Sequence, residues 1–410
     1  MPWAKSTFAA LACGLAVVGK LEAAVIHVSD NENVADRNPV PVSVEVDLQS
    51  LLGERTRLER LALVEVNAAG VESAKSEPVQ FEADAPGSSR GRLWWLLPPG
   101  AARERRFKLH LLEQDSLAEL TVKADATRSR FDISEGPLPV LRYNHGTVPV
   151  PAGIDTNYAR GDYIALLFGP SGELLTDDYP KDHPHHRAVS WSWPVTRWGD
   201  EVRDIWAVRG VWARPAAMRR VEAGPVLALL GAESVWKWAD TTPIVREEVV
   251  IRAFRRSGGD RFVDVEVRLV ALDDRVAIGG RPHGGYGGFG LRAQPAQQRK
   301  ITLFTDPPGA SPRRSWLDYS GVFAGGKGPA GLAIFEHVAN PLYPSELKEY
   351  PDLNYVMPAF PGEREVPLSM DKPLVLRHRL WIHEGTANEQ KLAAVWAAYA
   401  NPPKAELAEK

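Results

Sequence analysis

The chain reads as mainly β: an N-terminal β-sandwich of immunoglobulin-like size, then a large antiparallel β-sandwich of two stacked sheets, then one C-terminal helix. Three observations predict this. Short runs of period two recur along the chain, as strands with one buried face require. The 34 glycines and 33 prolines are scattered rather than gathered, so they punctuate many short strands instead of forming a linker. Only one segment, near the C-terminus, keeps a helical period.

The elements follow in order. Residues 1–24 read as a signal peptide: Lys5 gives a positive start, residues 6–19 an apolar core, and Ala23 and Ala24 a cleavage point. That core is too short to span a bilayer. Leu11-Ala12-Cys13-Gly14 offers a lipoprotein anchor as the lesser alternative, because the apolar core continues beyond it. The expected location is periplasmic or secreted. Cys13 is the single cysteine, so the mature chain has no disulfide, thiolate ligand or cysteine nucleophile.

Residues 25–128 form the immunoglobulin-like domain. Val42, Val44 and Val46 alternate with polar residues, and Arg92-Leu93-Trp94-Trp95-Leu96 supplies core aromatics. Residues 51–61 read equally as a short helix or a charged loop. Residues 129–385 form the large sandwich, with clean alternation over 247–253, 262–270 and 375–382. Residues 386–410 hold a helix with Leu392, Val395, Trp396 and Tyr399 on one face, Asn388 or Thr386 as cap, and a frayed tail from Lys404.

Forty-nine basic and 52 acidic residues give a net charge of −3. No basic field for nucleic acid results, and no apolar span follows the leader.

The densest chemistry is Lys181-Asp182-His183-Pro184-His185-His186-Arg187, with Trp191 and Trp193 following; it holds three of the ten histidines. Imidazole titrates near neutrality and is the commonest metal ligand. The cluster therefore offers an acid/base group, a metal site or a polar wall for a sugar, and the tryptophans offer flat apolar faces. An extended segment would put His183 and His185 on one side and His186 on the other. His183 and His185 are the best metal pair, with His337 or Glu336 as the distant ligand. A divalent ion is an option here rather than a requirement, and its ligands would be nitrogen and oxygen. The structural alternative is a loop scaffold whose histidines satisfy backbone groups.

Glycines dominate residues 279–290. A phosphate-cradling loop needs a helix after it, and here Phe289 and Leu291 continue as a strand. Two readings stay open: a binding loop from which His283, Tyr286 and Arg292 reach a ligand, or a plain bulge-rich hairpin. A third constellation joins Trp316-Leu317-Asp318-Tyr319-Ser320-Gly321 to residues 331–341. There an apolar run ends in Glu336, His337 and Asn340, either a site at a strand end or an Asn-Pro turn with a satisfied histidine.

The Asp-His-Pro-His-His-Arg run at 182–187, the Gly-Gly-Phe-Gly at 287–290, and the segments 316–321 and 331–341 occur in the order seen in the bacterial PmoA-like family, which the chain resembles over residues 138–384. The resemblance implies an exported protein of polysaccharide-degrading bacteria. It implies a fold similar to the galactose-mutarotase-like supersandwich, which some polysaccharide lyases share. The oxygenase chemistry in that family's name does not follow, since the chain lacks the apolar spans. The chain departs from the pattern at Ala188, across residues 198–204 and near residues 209–212.

These readings converge on a carbohydrate-active enzyme acting on an oligosaccharide or glycoside. Elimination needs a base at an acidified ring carbon and an acid at the leaving oxygen. His185 or His186 would be the base and Tyr286 or His337 the acid, with Lys181 or Arg187 steadying the developing charge. Trp191, Trp193, Asp182, His283, Arg292, Asn340 and Glu336 would contact the sugar. The alternatives are a non-catalytic sugar-binding or surface-assembly module with the tryptophans as platform, and hydrolysis by paired carboxylates, Asp182 and Glu336. The expectation is that the motif segments meet on one concave face, with the N-terminal domain beside it.

Overall fold

The computed structural model describes residues 24–30, 39–52, 61–100, 102–111 and 120–408; all of the expected leader but Ala24 lies outside them. The described strands pair into antiparallel sheets. The N-terminal sandwich packs a five-stranded sheet on a three-stranded one. The first runs in the order Lys404–Leu407, Val25–Ser29, Glu104–Leu111, Leu61–Val66, Glu72–Pro78, and the second Val40–Asp47, Arg90–Leu97, Gln80–Ala83. Alternation fills its core with Ile26, Val42, Leu63, Leu93, Trp95 and Phe107.

The tail departs from expectation. Lys404–Leu407 does not fray; it pairs with Val25–Ser29, Ile26 opposite Leu407, and completes the edge of the first sheet. A sheet edge otherwise presents unpaired N–H and C=O groups. The undecided segment opens with a short helix, Leu48–Leu52, and its residues 53–60 lie outside the described chain.

The large sandwich stacks two eight-stranded sheets. One, the long sheet, runs Val211–Ala223, Leu227–Trp238, Thr242–Phe254, Arg261–Ala271, Leu374–Glu384, Ala330–Glu336, Ser315–Val322, Gln297–Thr305. The other, the site sheet, runs Glu346–Tyr350, Tyr355–Ala359, Gly288–Arg292, Val189–Ser192, Tyr163–Leu167, Leu138–Asn144, Arg130–Glu135, Leu120–Asp125. A small four-stranded sheet flanks them. Because Leu120–Asp125 joins the site sheet, the domain boundary precedes residue 120 rather than following 128.

Leu230, Val249, Ile251 and Val265 of the long sheet meet Ile164, Trp191, Leu291 and Val356 of the site sheet in one core. Strand alternation then assigns the two outer faces. On the long sheet, Leu227, Leu229, Phe254 and Trp381 face outward and are covered by Leu392, Trp396 and Tyr399 of the helix Glu389–Ala400. That helix is capped by Asn388, which accepts from Lys391 N at 2.8 Å. The N-terminal sandwich docks on this face too. Gln80 accepts from Leu227 N at 2.9 Å, and Arg252 donates to Glu82 at 2.6 Å. The outer face of the site sheet carries the cleft described next. No helix among the described residues is long and apolar enough to cross a membrane.

Candidate active site

Three segments build the site. The histidine run is a turn, not the extended strand expected. His183 N donates to Pro180 O at 3.2 Å and His186 N to His183 O at 2.8 Å. Pro184 at the second position of that turn has the fixed φ such turns favour. The turn gathers all three imidazoles: the rings of His183 and His186 stack at 4.8 Å, those of His185 and His186 meet edge-on at 4.7 Å, and His183 and His185 lie 5.7 Å apart. Arg187 fixes the turn by donating to the carbonyls of Pro184, His186 and Tyr158 at 2.5–2.7 Å, with its guanidinium 3.5 Å above the Tyr179 ring.

The second segment is Gly288–Arg292, paired with Val189–Ser192 so that Gly290 sits opposite Ser190. Glycine is required at 290, because a Cβ there would collide with the Tyr355 hydroxyl. Gly288 has φ +97°, a conformation only glycine adopts easily. Arg292 ends the strand and donates to both oxygens of Asp182 at 2.8 and 3.0 Å. Asp182 also holds His183 Nδ1 at 3.1 Å. Partial burial pushes the Asp182 carboxyl up, but the bonds from His183 and Arg292 outweigh it and hold it near 2.

The third segment, Glu346–Ala359, carries Tyr350 and Tyr355 on either side of a 3-10 turn, Pro351–Leu353. Tyr319 of the core reaches that turn and donates to Asn354 Oδ1 at 2.8 Å. Here the Asp-Tyr-Ser-Gly element supports the site from beneath.

Together these segments line a cleft of about 340 Å³ formed by His183, His185, His186, Trp206, Tyr286, Tyr350, Leu353, Tyr355 and Met357. Trp206 stands edge-on to His186 and Tyr355 and lies 5.5 Å from Tyr286. The lining has imidazoles, phenols and apolar surface, and no carboxylate. Burial and then the neighbouring imidazole lower His185 to about 4 and His186 to about 2, so both rings are neutral at neutral pH. Burial raises Tyr350 and Tyr355, so these phenols stay protonated and can donate.

Of the residues expected at the site, His183, His185, His186 and Tyr286 line the cleft, and Asp182 and Arg292 brace it. The rest do not. Trp191 and Trp193 are core residues, 3% and 0% exposed. Trp191 donates to Glu247, and Trp193 donates to Phe360 O at 3.0 Å. They alternate into a sheet whose inner face is the sandwich core, so neither is a platform for a sugar. Lys181 and His283 are exposed outside the lining. Arg187 is spent on carbonyls and is not free to steady a reacting charge.

His337, Glu336 and Asn340 form a separate network beside the helix. His337 packs edge-on against Tyr399 at 5.2 Å. Glu336 accepts from Ser345 N and Oγ at 2.9 and 2.7 Å. Asn340 accepts from Arg377 N at 2.8 Å and donates to Arg377 O at 2.9 Å. This network sits at the end of a long-sheet strand, so Asp182 and Glu336 do not form a carboxylate pair. Among the described residues, no group of three His, Cys, Asp or Glu side chains is arranged to hold a metal, and His337 and Glu336 are too differently placed to complete a set with His183 and His185.

Trp206, Tyr350, Leu353, Tyr355 and Met357 were not legible as site residues. The only signal was alternation in 355–359 beside the turn residues Pro351 and Asn354, which reads equally as an ordinary hairpin.

The fold and this cleft define a two-sheet β-sandwich protein with a histidine- and tyrosine-lined site on one outer face. Residues 130–397 match DUF6807, a family of unknown function; the match spans nearly all of both large sheets, and the chain belongs to that family. No curated protein matches the chain.

Proposed function

We propose that the cleft binds a saccharide and breaks it by elimination. The observation that carries this reading is the chain Arg292–Asp182–His183 at the cleft wall, with Tyr286 in the same lining. Asp182 takes the Nδ1 side of His183, which leaves Nε2 as the acceptor on a ring that lines the cleft. A carboxylate that fixes an imidazole's tautomer in this way is the usual means of making a general base. His183, in place of the His185 or His186 expected from the sequence, whose rings burial makes weak bases, removes the proton next to an acidifying group on the sugar ring. Its electron pair forms the C=C bond as the C–O bond breaks, and the Tyr286 phenol protonates the departing oxygen. Trp206 and the tyrosines supply flat faces and hydroxyl donors that suit a pyranose. The resemblance to an exported family of polysaccharide degraders points the same way, and a periplasmic or secreted location would go with it.

A second reading has its own support. With His185 near 4 and His186 near 2, two of the three imidazoles are weak bases, as a non-catalytic sugar-binding module would tolerate. Incubating the protein with neutral and acidic oligosaccharides separates the two. Elimination leaves an unsaturated, ultraviolet-absorbing product, hydrolysis only a new reducing end, and a module neither. If no saccharide is bound or changed, both readings fall.

A further inference from the structure

A second cavity, of about 200 Å³, opens over the strands Arg130–Glu135, Leu138–Asn144 and Tyr163–Leu167 of the site sheet. Phe131, Ile133, Tyr143 and Ile164 of these strands belong to the sandwich core, so alternation turns Arg130 and Arg142 to the outer face. The cleft is on that same face: Val356 is in the core, and Tyr355 and Met357 on either side of it line the cleft. In the order of the sheet, Leu138–Asn144 is three places from Gly288–Arg292, roughly 14 Å at the usual strand spacing.

The walls of the cavity combine hydrogen-bond donors with an apolar patch. Asp132 holds Arg142 through Nε and Nη2 at 2.6 and 3.2 Å, which fixes the guanidinium and leaves Nη1 unbonded. Arg130 and Arg128 stand 3.5 and 3.7 Å from Asp125, and among the described residues their guanidiniums make no hydrogen bond. Val148, Pro149, Ala165 and Leu166 supply the apolar surface. Asp178 lines the cavity as well. Burial pushes it up to about 6, so at neutral pH it is still a carboxylate. The three guanidiniums are thus matched by Asp125, Asp132 and Asp178, and the cavity presents unbonded donors with no net charge.

The cavity and the cleft share supports. Asp178 accepts from Tyr163 Oη at 3.0 Å and lies 3.7 Å from Arg187, the residue that fixes the histidine turn. Tyr179, beneath the Arg187 guanidinium, donates from its hydroxyl to Val148 O at 3.3 Å.

We propose that this cavity is a second sugar-binding site, which takes a further unit of the saccharide held in the cleft and recognises it by its hydroxyls rather than by a charge. The inference rests on the saccharide reading above. Hydroxyl oxygens accept from the unbonded guanidinium donors, and the C–H face of a pyranose packs on Val148, Pro149 and Leu166. An anionic group gains little here, because the three carboxylates offset the arginines. A chain of several sugar units spans the distance between the two sites, and a disaccharide in the cleft does not.

The test is calorimetric binding to the full chain of disaccharides and hexasaccharides from two uncharged series, methyl-esterified oligogalacturonides and xylo-oligosaccharides, with the unesterified oligogalacturonides as the anionic comparison. In at least one uncharged series the wild type should bind the hexasaccharide about ten- to a hundredfold more tightly than the disaccharide. Arg130→Gln should reduce that gain severalfold. Thr147→Trp, at an exposed position of the rim, should abolish it by filling the cavity. Both variants should bind the disaccharide as the wild type does. Equal affinity of the wild type for both lengths, or a gain that survives in both variants, overturns the inference alone. A gain confined to the anionic series overturns recognition through hydroxyls. Binding of no saccharide at either length overturns the saccharide reading and this inference with it. Should Arg130→Gln fail to fold, the Thr147→Trp result decides the matter.

Discussion

The rings of His186 and Tyr355 lie 4.7 Å apart, and the Tyr355 hydroxyl occupies the space a side chain at position 290 would fill. A turn before one strand and the start of another are thus joined across a third strand that has no side chain at the crossing. The floor of the cleft depends on that glycine.

Gly290→Ala should therefore act on fold and site together. The added methyl displaces Tyr355 into His186, an overpacking change that costs roughly 1–3 kcal/mol. Chemical denaturation measures the loss, and ligand affinity should fall in parallel. An alanine variant with native stability and affinity would mean that Tyr355 has another resting place.

The catalytic assignment predicts a split between rate and affinity. His183→Ala and Tyr286→Phe should each lower turnover by roughly 10²–10⁴ with affinity nearly kept. Trp206→Ala should weaken binding about tenfold. The module reading expects the opposite order, with Trp206 dominant and the histidine immaterial to any measured signal.

Trp193→Ala should behave as a core mutant. Its indole is fully buried and bonded to Phe360 O, so truncation should cost roughly 3–5 kcal/mol. Variants that still fold should bind sugar as before. An affinity loss without a stability loss would restore this residue to the site.

Acid should destabilise the protein through the histidines. Burial sets His185 near 4 and His186 near 2, against 6.5 for the free side chain. Between about 6.5 and 4 the unfolded chain binds more protons than the folded one, so their contribution, complete above 6.5, is lost as pH falls. Asp178 opposes this: burial raises it to about 6 from 3.8, so protonation stabilises the folded state between those values. The difference between wild type and His186→Asn isolates the imidazole. The variant's plot of unfolding free energy against pH should be shallower by up to one proton between 6.5 and 4. Parallel plots would remove His186 from the acid response.

Deleting residues 404–410 should open the edge of the N-terminal sheet. The lost strand pairs with Val25–Ser29 over four residues. At about 1 kcal/mol per hydrogen bond the loss is roughly 2–4 kcal/mol. Hydrogen exchange should quicken first at residues 26–28 and leave the cleft unchanged.

The sequence by itself determined the mainly β class, the two sandwiches, the capped C-terminal helix and the run of histidines. Each is local: period-two alternation, an Asn cap before Leu392, Trp396 and Tyr399, and a residue string that can be read without partners. Four of the expected site residues, His183, His185, His186 and Tyr286, line one cleft for the same reason, since turn and loop chemistry is written in adjacent residues. Only the tertiary structure decided which face each strand presents. Trp191 and Trp193 read like a platform, but alternation in Val189–Ser192 cannot say which side is the core until the long sheet closes over it. Tyr355 and Trp206 gave no signal, because their role comes from strand order and from a glycine that belongs to another strand. His337 and Glu336 look like site residues in the chain and are structural in the fold, since the end of their strand meets the helix instead of the cleft. Lys404–Leu407 joins the first strand for a similar reason: pairing at a sheet edge is satisfied by whatever segment the rest of the fold brings there.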